Sequence, residues 1–453
     1  VMASPTLSPD GDTLYIGDSG LSVDCKYIAG CADPKLYALR TSDGSKLWEY
    51  PISGYALHAA VSSDGNNFYV STKKSSIHSK DGDNLCAINT ADGLLKWKTE
   101  LSSYGGGALV LSPDGNTVYV NSYDVHAFQT SDGTQLWKGS SLSNSNYPRN
   151  ALVLSPDGDM LYVGVRNGFG ALNTADGSKV WETTLAANEI YACISTDGNT
   201  AFVLRSWSGG NIAKVKTSDG SVLWEIVAGV SMQSSPALST DGNTLYVLVR
   251  LSGGDQLRAF STSNGEEIWE SSEVWLSGTI DISWRAEGSP SISADGKTIY
   301  VGANDKKLHA VSTLDGSQRW EYVTGDKIRS SPAISVDGKT IFVGSNDKKL
   351  HAIAVTTWNP LLPFAPKCGD VDGFETPFAS CPASTYHLKS SPESVTCGSA
   401  PFQPCTFLQC CNANQLCTGL TGLCTYGIDR LYFTAGSITC GSALCVASEC
   451  CVP

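Results

Sequence analysis

Sixteen cysteines stand in this chain, and twelve of them crowd into residues 368–453. Their order repeats. Cys381 is followed after fifteen residues by Thr396-Cys397-Gly-Ser-Ala400, then by Cys405, four residues and Cys410-Cys411; Cys424 is followed after fifteen by Thr439-Cys440-Gly-Ser-Ala443, then by Cys445, four residues and Cys450-Cys451. With Cys368 leading the first copy and Cys417 the second, residues 368–411 and 412–453 form two six-cysteine modules. Neither has enough apolar residues for a conventional core, so each is expected to rely on three disulfides, in a connectivity that spacing alone does not choose. Such a framework implies an oxidising compartment. Zinc is the alternative chemistry, but no paired C-x-x-C knuckle is present and His387 is the only tail histidine. Cys25 and Cys31 read as a local disulfide stapling a loop, with a reduced pair as the alternative.

Two further groups could do chemistry. His126, His309 and His351 each stand just before an Ala in a repeated strand, which would suggest a metal ring, but the same column holds Tyr37, Cys86, Gly170, Ala213 and Arg258. Asp370-Val-Asp-Gly-Phe-Glu375 begins like a calcium loop and lacks that motif's later ligands. Neither is expected to bind metal. Cys193 falls in a column of Ala and Val and reads as a small buried residue.

The elements that would position these residues come from two interleaved phrases. Eight copies of a Ser-x-Asp-Gly phrase start at Ser8, Ser62, Ser112, Ser155, Ser195, Ser239, Ser293 and Ser335, at spacings of 54, 50, 43, 40, 44, 54 and 42 residues. That is the period of a propeller blade. A second Asp-Gly or Asn-Gly precedes Trp48, Trp97, Trp137, Trp181, Trp224, Trp269 and Trp320, with the Asp or Asn always five residues before the Trp. Both phrases are hairpin signals, because Gly enters positive φ without a Cβ clash. Each repeat therefore holds two hairpins, strands A to D. Repeat seven shows them as 289–293, 298–302, 308–312 and 318–323.

With these repeats, strand-C Ala residues and Trp anchors, residues 1–357 resemble the quinoprotein-dehydrogenase-like (PQQ-like) β-propeller family. The resemblance implies an eight-bladed, all-β ring whose seven Trp residues dock neighbouring blades. Enzymes of that family hold a quinone above the channel, against an adjacent-cysteine disulfide, with Ca²⁺ on Glu and Asn and an Asp base. Here the only Cys-Cys pairs are Cys410-Cys411 and Cys450-Cys451, outside the ring, and no C-x-x-C-H haem site exists. A noncatalytic member without a cofactor is expected, and a quinone dehydrogenase is the alternative. Residues 358–367, rich in Pro, read as a linker to the cysteine modules.

Strand alternation puts the A–B and C–D turns on one face of the ring and the B–C and D–A connections on the other. The second face varies in length, so interaction residues are expected there: Lys73, Lys74, Trp207, Trp275, Trp284 and Arg285. Repeat eight loses its second turn after Leu350-His-Ala-Ile-Ala354. Either Thr356-Thr-Trp358 forms a shortened fourth strand, or the blade keeps an open edge able to template another strand.

Formal net charge is −13, and only 17% of residues are charged. An acidic chain without basic runs argues against nucleic acid and anionic membranes, and no apolar run is long enough for a helical span. The chain starts at Val1, which is read as the trace of a removed signal peptide. No Asn-x-Ser/Thr occurs, so glycans, if present, are O-linked. These features predict an extracellular, nonenzymatic structural protein that self-associates into a homopolymer, and its layout resembles subunits of extracellular fibrils of the mastigoneme type. An extracellular module binding glycan or protein is the alternative.

Overall fold

The computed structural model describes residues 4–17 and 34–355, apart from 75–83, 102–106, 143–147, 272–287 and a few shorter gaps, and four short strands within 416–439. The chain divides into two compact units, Val1–Val355 and Thr356–Pro453. Every described regular element is a β-strand.

The first unit is an eight-bladed propeller. Blade 7 runs Ser291–Ile292, Thr298–Gly302, Lys307–Ser312 and Gln318–Val323, each strand antiparallel to the one before. Strand A is shorter than the sequence pattern suggests, because Pro290 has no N–H to give and Ser289 directs its own to the next blade. Strands B and C are buried on both faces, which is why they read as continuous apolar runs, whereas strand D is largely exposed. Blade 6 splits strand A into Ser231–Met232 and Ala237–Leu238, both paired with Thr244–Leu251. Blades 4 and 5 join through a parallel bridge between Asn150 and Ile190.

The turns are held by one recurring network. In blade 1 the Ser8 hydroxyl donates to Asp10 Oδ1 at 2.5 Å and accepts the Thr13 N–H at 2.9 Å. Gly11 follows at φ +79°. Thr41, at the end of strand C, donates its hydroxyl to the Gly11 carbonyl, and Thr90, Thr130, Thr174, Thr217, Thr262 and Thr313 repeat that bond in blades 2 to 7. The two hairpins of a blade are thus tied at one end.

Tryptophan joins one blade to the next. A β-bulge follows the strand-C residue opposite each Trp in blades 1 to 7 and sets the indole over the neighbouring blade. Indole N–H groups donate across the interface from Trp48 to the Thr90 carbonyl, Trp97 to Thr130, Trp137 to Thr174, Trp181 to Thr217 and Trp269 to Thr313, at 2.6–3.0 Å. Blade 5 departs from this rule. Lys214 replaces the Ala opposite Trp224, and its Nζ takes the Thr262 carbonyl at 2.9 Å, leaving the Trp224 N–H without a partner.

Among the described residues, no strand is exchanged where the ring closes. Ser4, Ser235, Ser289 and Ser331 each precede a Pro, and their hydroxyls and amides link in series: Ser235 N–H to Ser289 Oγ, Ser289 N–H to Ser331 Oγ, and Ser331 N–H to Ser4 Oγ, at 2.9–3.0 Å. Leu14, Ile16 and Phe342 bury an apolar cluster where blade 8 meets blade 1.

In the second unit, Leu416–Thr418 pairs with Ser437–Thr439 and Gly422–Tyr426 with Asp429–Phe433. These strands carry Cys417 and Cys424. The remaining tail cysteines, with Cys25 and Cys31, lie outside the described residues.

Lys214→Ala restores the Ala of the other blades and frees the Thr262 carbonyl for the Trp224 N–H. Denaturant unfolding should show stability raised by about 1 kcal/mol, the worth of one recovered buried hydrogen bond. A loss instead would show that the Lys214 bond and its contact with the Phe202 ring, 5.6 Å away, outweigh the indole's need.

Candidate interaction site

Blade 8 has three described strands: Ala333–Ile334, Thr340–Gly344 and Leu350–Ala354. Val355 stands where blades 1 to 7 have Thr; its amide donates to the Lys339 carbonyl at 2.6 Å, but it has no hydroxyl to tie the turns. Thr356 to Trp358 lie outside the described residues. Among those described, Leu350–Ala354 is the outermost strand of its blade. Outer strands elsewhere all carry Lys, Arg or Glu, as in Lys46–Pro51, Leu95–Glu100 and Gln318–Val323. Such charges guard a sheet edge against further pairing. Leu-His-Ala-Ile-Ala carries none.

A second feature accompanies this edge, which no described strand covers. From blade 1 to blade 6, each Trp rests closely on the Gly of the next blade's C–D turn. A Cβ on Gly93 would lie 2.7 Å from the Trp48 ring, one on Gly133 2.6 Å from Trp97, and one on Gly316 2.5 Å from Trp269. Gly44, the same turn in blade 1, has nothing within 4 Å. Among the described residues blade 8, its neighbour, supplies no Trp, and Trp358 lies outside them. Edge and seat together are shaped for a β-strand carrying a large aromatic residue.

The B–C and D–A face is positively charged above blades 7 and 8. Asn304-Asp-Lys-Lys307 and Asn346-Asp-Lys-Lys349 make the same tight B–C turn, with Lys306 and Lys348 at φ +74° and +69°. Both Asp carboxylates point inward. Asp305 takes the Lys307 amide and, at 2.9 Å, His309 Nε2; Asp347 takes the Lys349 and Gly325 amides and, at 2.9 Å, His351 Nε2. Lys307 pairs with Glu321 at 2.8 Å. Lys327, Lys348 and Lys349 make no ion pair with any described residue.

The histidine column is spread over separate blades. His309 also meets Gln318 Oε1 at 3.2 Å, and His351 Nδ1 lies 3.3 Å from the Tyr322 hydroxyl. His126 is buried with neither ring nitrogen partnered, and burial lowers its pKa. Cys86 and Cys193 are free thiols raised by burial to about 11 and about 12, which makes both poor nucleophiles.

Of the interaction residues expected from sequence, Lys73 and Lys74 end the strand Asn67–Lys74 on the expected face. Trp207, Trp275, Trp284 and Arg285 lie outside the described residues. The paired Asn-Asp-Lys-Lys turns were readable as a repeat within the variable connections, but they are short, and attention to length passes over them.

These features define a closed β-propeller whose last blade has three strands among the described residues. A family model described as outer membrane protein assembly factor BamB matches residues 55–201 and 208–360, and the chain belongs to that PQQ-like propeller family. Among curated proteins it is similar to the outer membrane protein assembly factor BamB of Shewanella oneidensis, 28% identical over 163 residues, covering 33% of this chain and 38% of that one. The aligned part thus spans well under two thirds of the relative.

Gly44 and Gly93 share a positive φ, so Gly→Ala strains both backbones alike by about 1 kcal/mol. Gly93→Ala must also displace Trp48, and unfolding should show it costing roughly 2 kcal/mol more than Gly44→Ala. Equal costs would mean that the Gly44 seat is filled.

Proposed function

We propose that this protein is a noncatalytic protein-interaction scaffold, secreted, which builds an extracellular fibril or surface appendage from copies of itself. The observation that carries the reading is the unguarded outer strand of blade 8 beside the vacant Gly44 seat, on a ring that is otherwise sealed. Membership in a family whose model bears the name of an assembly factor supports the scaffold part. The repeated cysteine spacing of residues 368–453 supports the oxidising compartment and a cross-linked arm. An arm on one copy that engages the ring of the next is a heterologous contact, and such contacts propagate where they do not close.

The test is electron microscopy of the purified full chain and of a form ending at residue 367. The full chain should form filaments and the shortened one dispersed particles. Dispersed particles in both preparations would reject self-assembly.

A further inference from the structure

We propose that the cationic ledge of blades 7 and 8 docks the acidic turn face of a second copy of this chain, over blades 3 and 4, so that rings stack head to tail. The proposal deepens the self-assembling reading above and rests on it.

The charges are segregated. In a chain of formal net charge −13, the B–C and D–A connections of blades 7 and 8 gather Lys306, Lys307, Lys327, Arg329, Lys348 and Lys349 within 44 residues. Their own carboxylates cancel them only in part: Asp305 and Asp347 are turned in against His309 and His351, Glu321 pairs with Lys307, and Asp326 stands beside Lys327, while Lys348 and Lys349 make no ion pair with any described residue. On the opposite face the turns of blades 1 and 2 carry Asp10, Asp12, Asp43, Asp64 and Asp92, and those of blades 3 and 4 carry Asp114, Asp132, Asp157, Asp159 and Asp176, with no Lys or Arg in 112–116, 130–134, 155–159 or 174–178. On blades 3 and 4, hydrogen bonds hold four carboxyls below the usual carboxylate range. Asp114 and Asp157 accept the Ser112 and Ser155 hydroxyls, Asp132 the Thr134 amide, and Asp176 the Ser178 hydroxyl and amide.

The two surfaces cannot satisfy each other within one ring. They lie at opposite ends of the strands, and a five-residue strand such as Thr298–Gly302 holds its ends about 16 Å apart, beyond a Debye length at moderate salt. An acidic partner of another kind would serve the ledge and leave the turn face unmatched, whereas a second copy serves both. The ledge covers blades 7 and 8, whose own turns carry Lys297 and Lys339, and the acidic turns without a basic residue lie on other blades. Successive rings are therefore offset, and an offset heterologous contact propagates as a helix instead of closing a pair.

The experiment uses two full-length variants with substitutions at exposed side chains free of hydrogen-bond duties: Lys327→Glu with Lys348→Glu and Lys349→Glu on the ledge, and Ser131→Lys with Asp159→Lys and Ala175→Lys on the turn face. Association is followed by sedimentation velocity at low salt and at about 0.5 M salt, where screening shortens to a few Å. Wild type should associate at low salt and weaken roughly tenfold or more at high salt, the mark of charge-steered contact. Each variant alone should stay monomeric, because its two faces now repel. Mixing them should restore association, since each supplies the charge the other has reversed, and recovery in the mixture also shows that both are folded. Should a triple variant fail to fold, the single changes Lys349→Glu and Asp159→Lys give the same crossed comparison with a smaller shift. Assembly of wild type that ignores salt and both variants would overturn this contact while leaving self-assembly standing. A wild type monomeric at every salt would overturn both. A ledge that binds only an acidic protein of another kind would reassign the surface and overturn the stacking.

Discussion

An indole laid across the glycine turn of the neighbouring blade is the contact on which this ring depends. It requires a small residue opposite the Trp, a bulge to aim the ring, a Gly at positive φ to receive it and a Thr carbonyl to take its N–H. The regular part of the chain's pattern is the list of those needs, repeated. The contact is complete five times, for Trp48, Trp97, Trp137, Trp181 and Trp269; Trp224 reaches Gly265 but has Lys214 opposite it and an N–H without a partner. At blade 8 the pattern changes: repeat eight has no second Asp-Gly turn to receive Trp320, and no described residue of blade 8 brings a Trp to Gly44.

The ring closes all the same, because the inner strands use a different bond. Ser-Pro steps in blades 6, 7, 8 and 1 pass an amide-to-hydroxyl link from blade to blade at the inner edge, where Pro leaves no amide of its own to satisfy. Blade 8 is thus secured at its inner edge and by its apolar faces, while no described residue adds to its outer edge the strand, the charge or the indole that finish the others. The described outer strands of the other blades all carry charge, which is why the proposed contact with another chain is placed here.

The blade count, both hairpin turns and the Trp anchors were legible in the sequence, because each depends on residues that few others can replace: Gly at φ +69° to +82° in the turns, Asp beside it, and a large aromatic five residues on. Less was legible where a residue acts through its neighbour across a blade. Lys214 sits one place from Ala213 in a column that reads smoothly, and only the register with Trp224 shows it taking the indole's acceptor. The Ser-Pro steps look like ordinary turn residues until four of them are seen linked by three bonds in series. Lys306 and Lys348 stand in short connections that length does not single out, and their outward charge emerges only because Asp305 and Asp347 turn inward. The large loops favoured for binding, with Trp207, Trp275 and Trp284, and the cysteine modules are carried by local spacing alone, which names a chemistry without placing it.

Charge segregation and an open edge answer the same need in different ways: the first orients one copy upon another, and the second offers backbone to a strand. Both presuppose that Leu350–Ala354 is unpaired on its outer side in the free chain. Hydrogen exchange of the dispersed protein measures this directly, by comparing the amides of residues 350–354 that point away from Thr340–Gly344 with their counterparts in Lys307–Ser312, which strand D covers. Exchange much faster in blade 8 than in blade 7 is the predicted result; equal protection in the two strands would contradict the account.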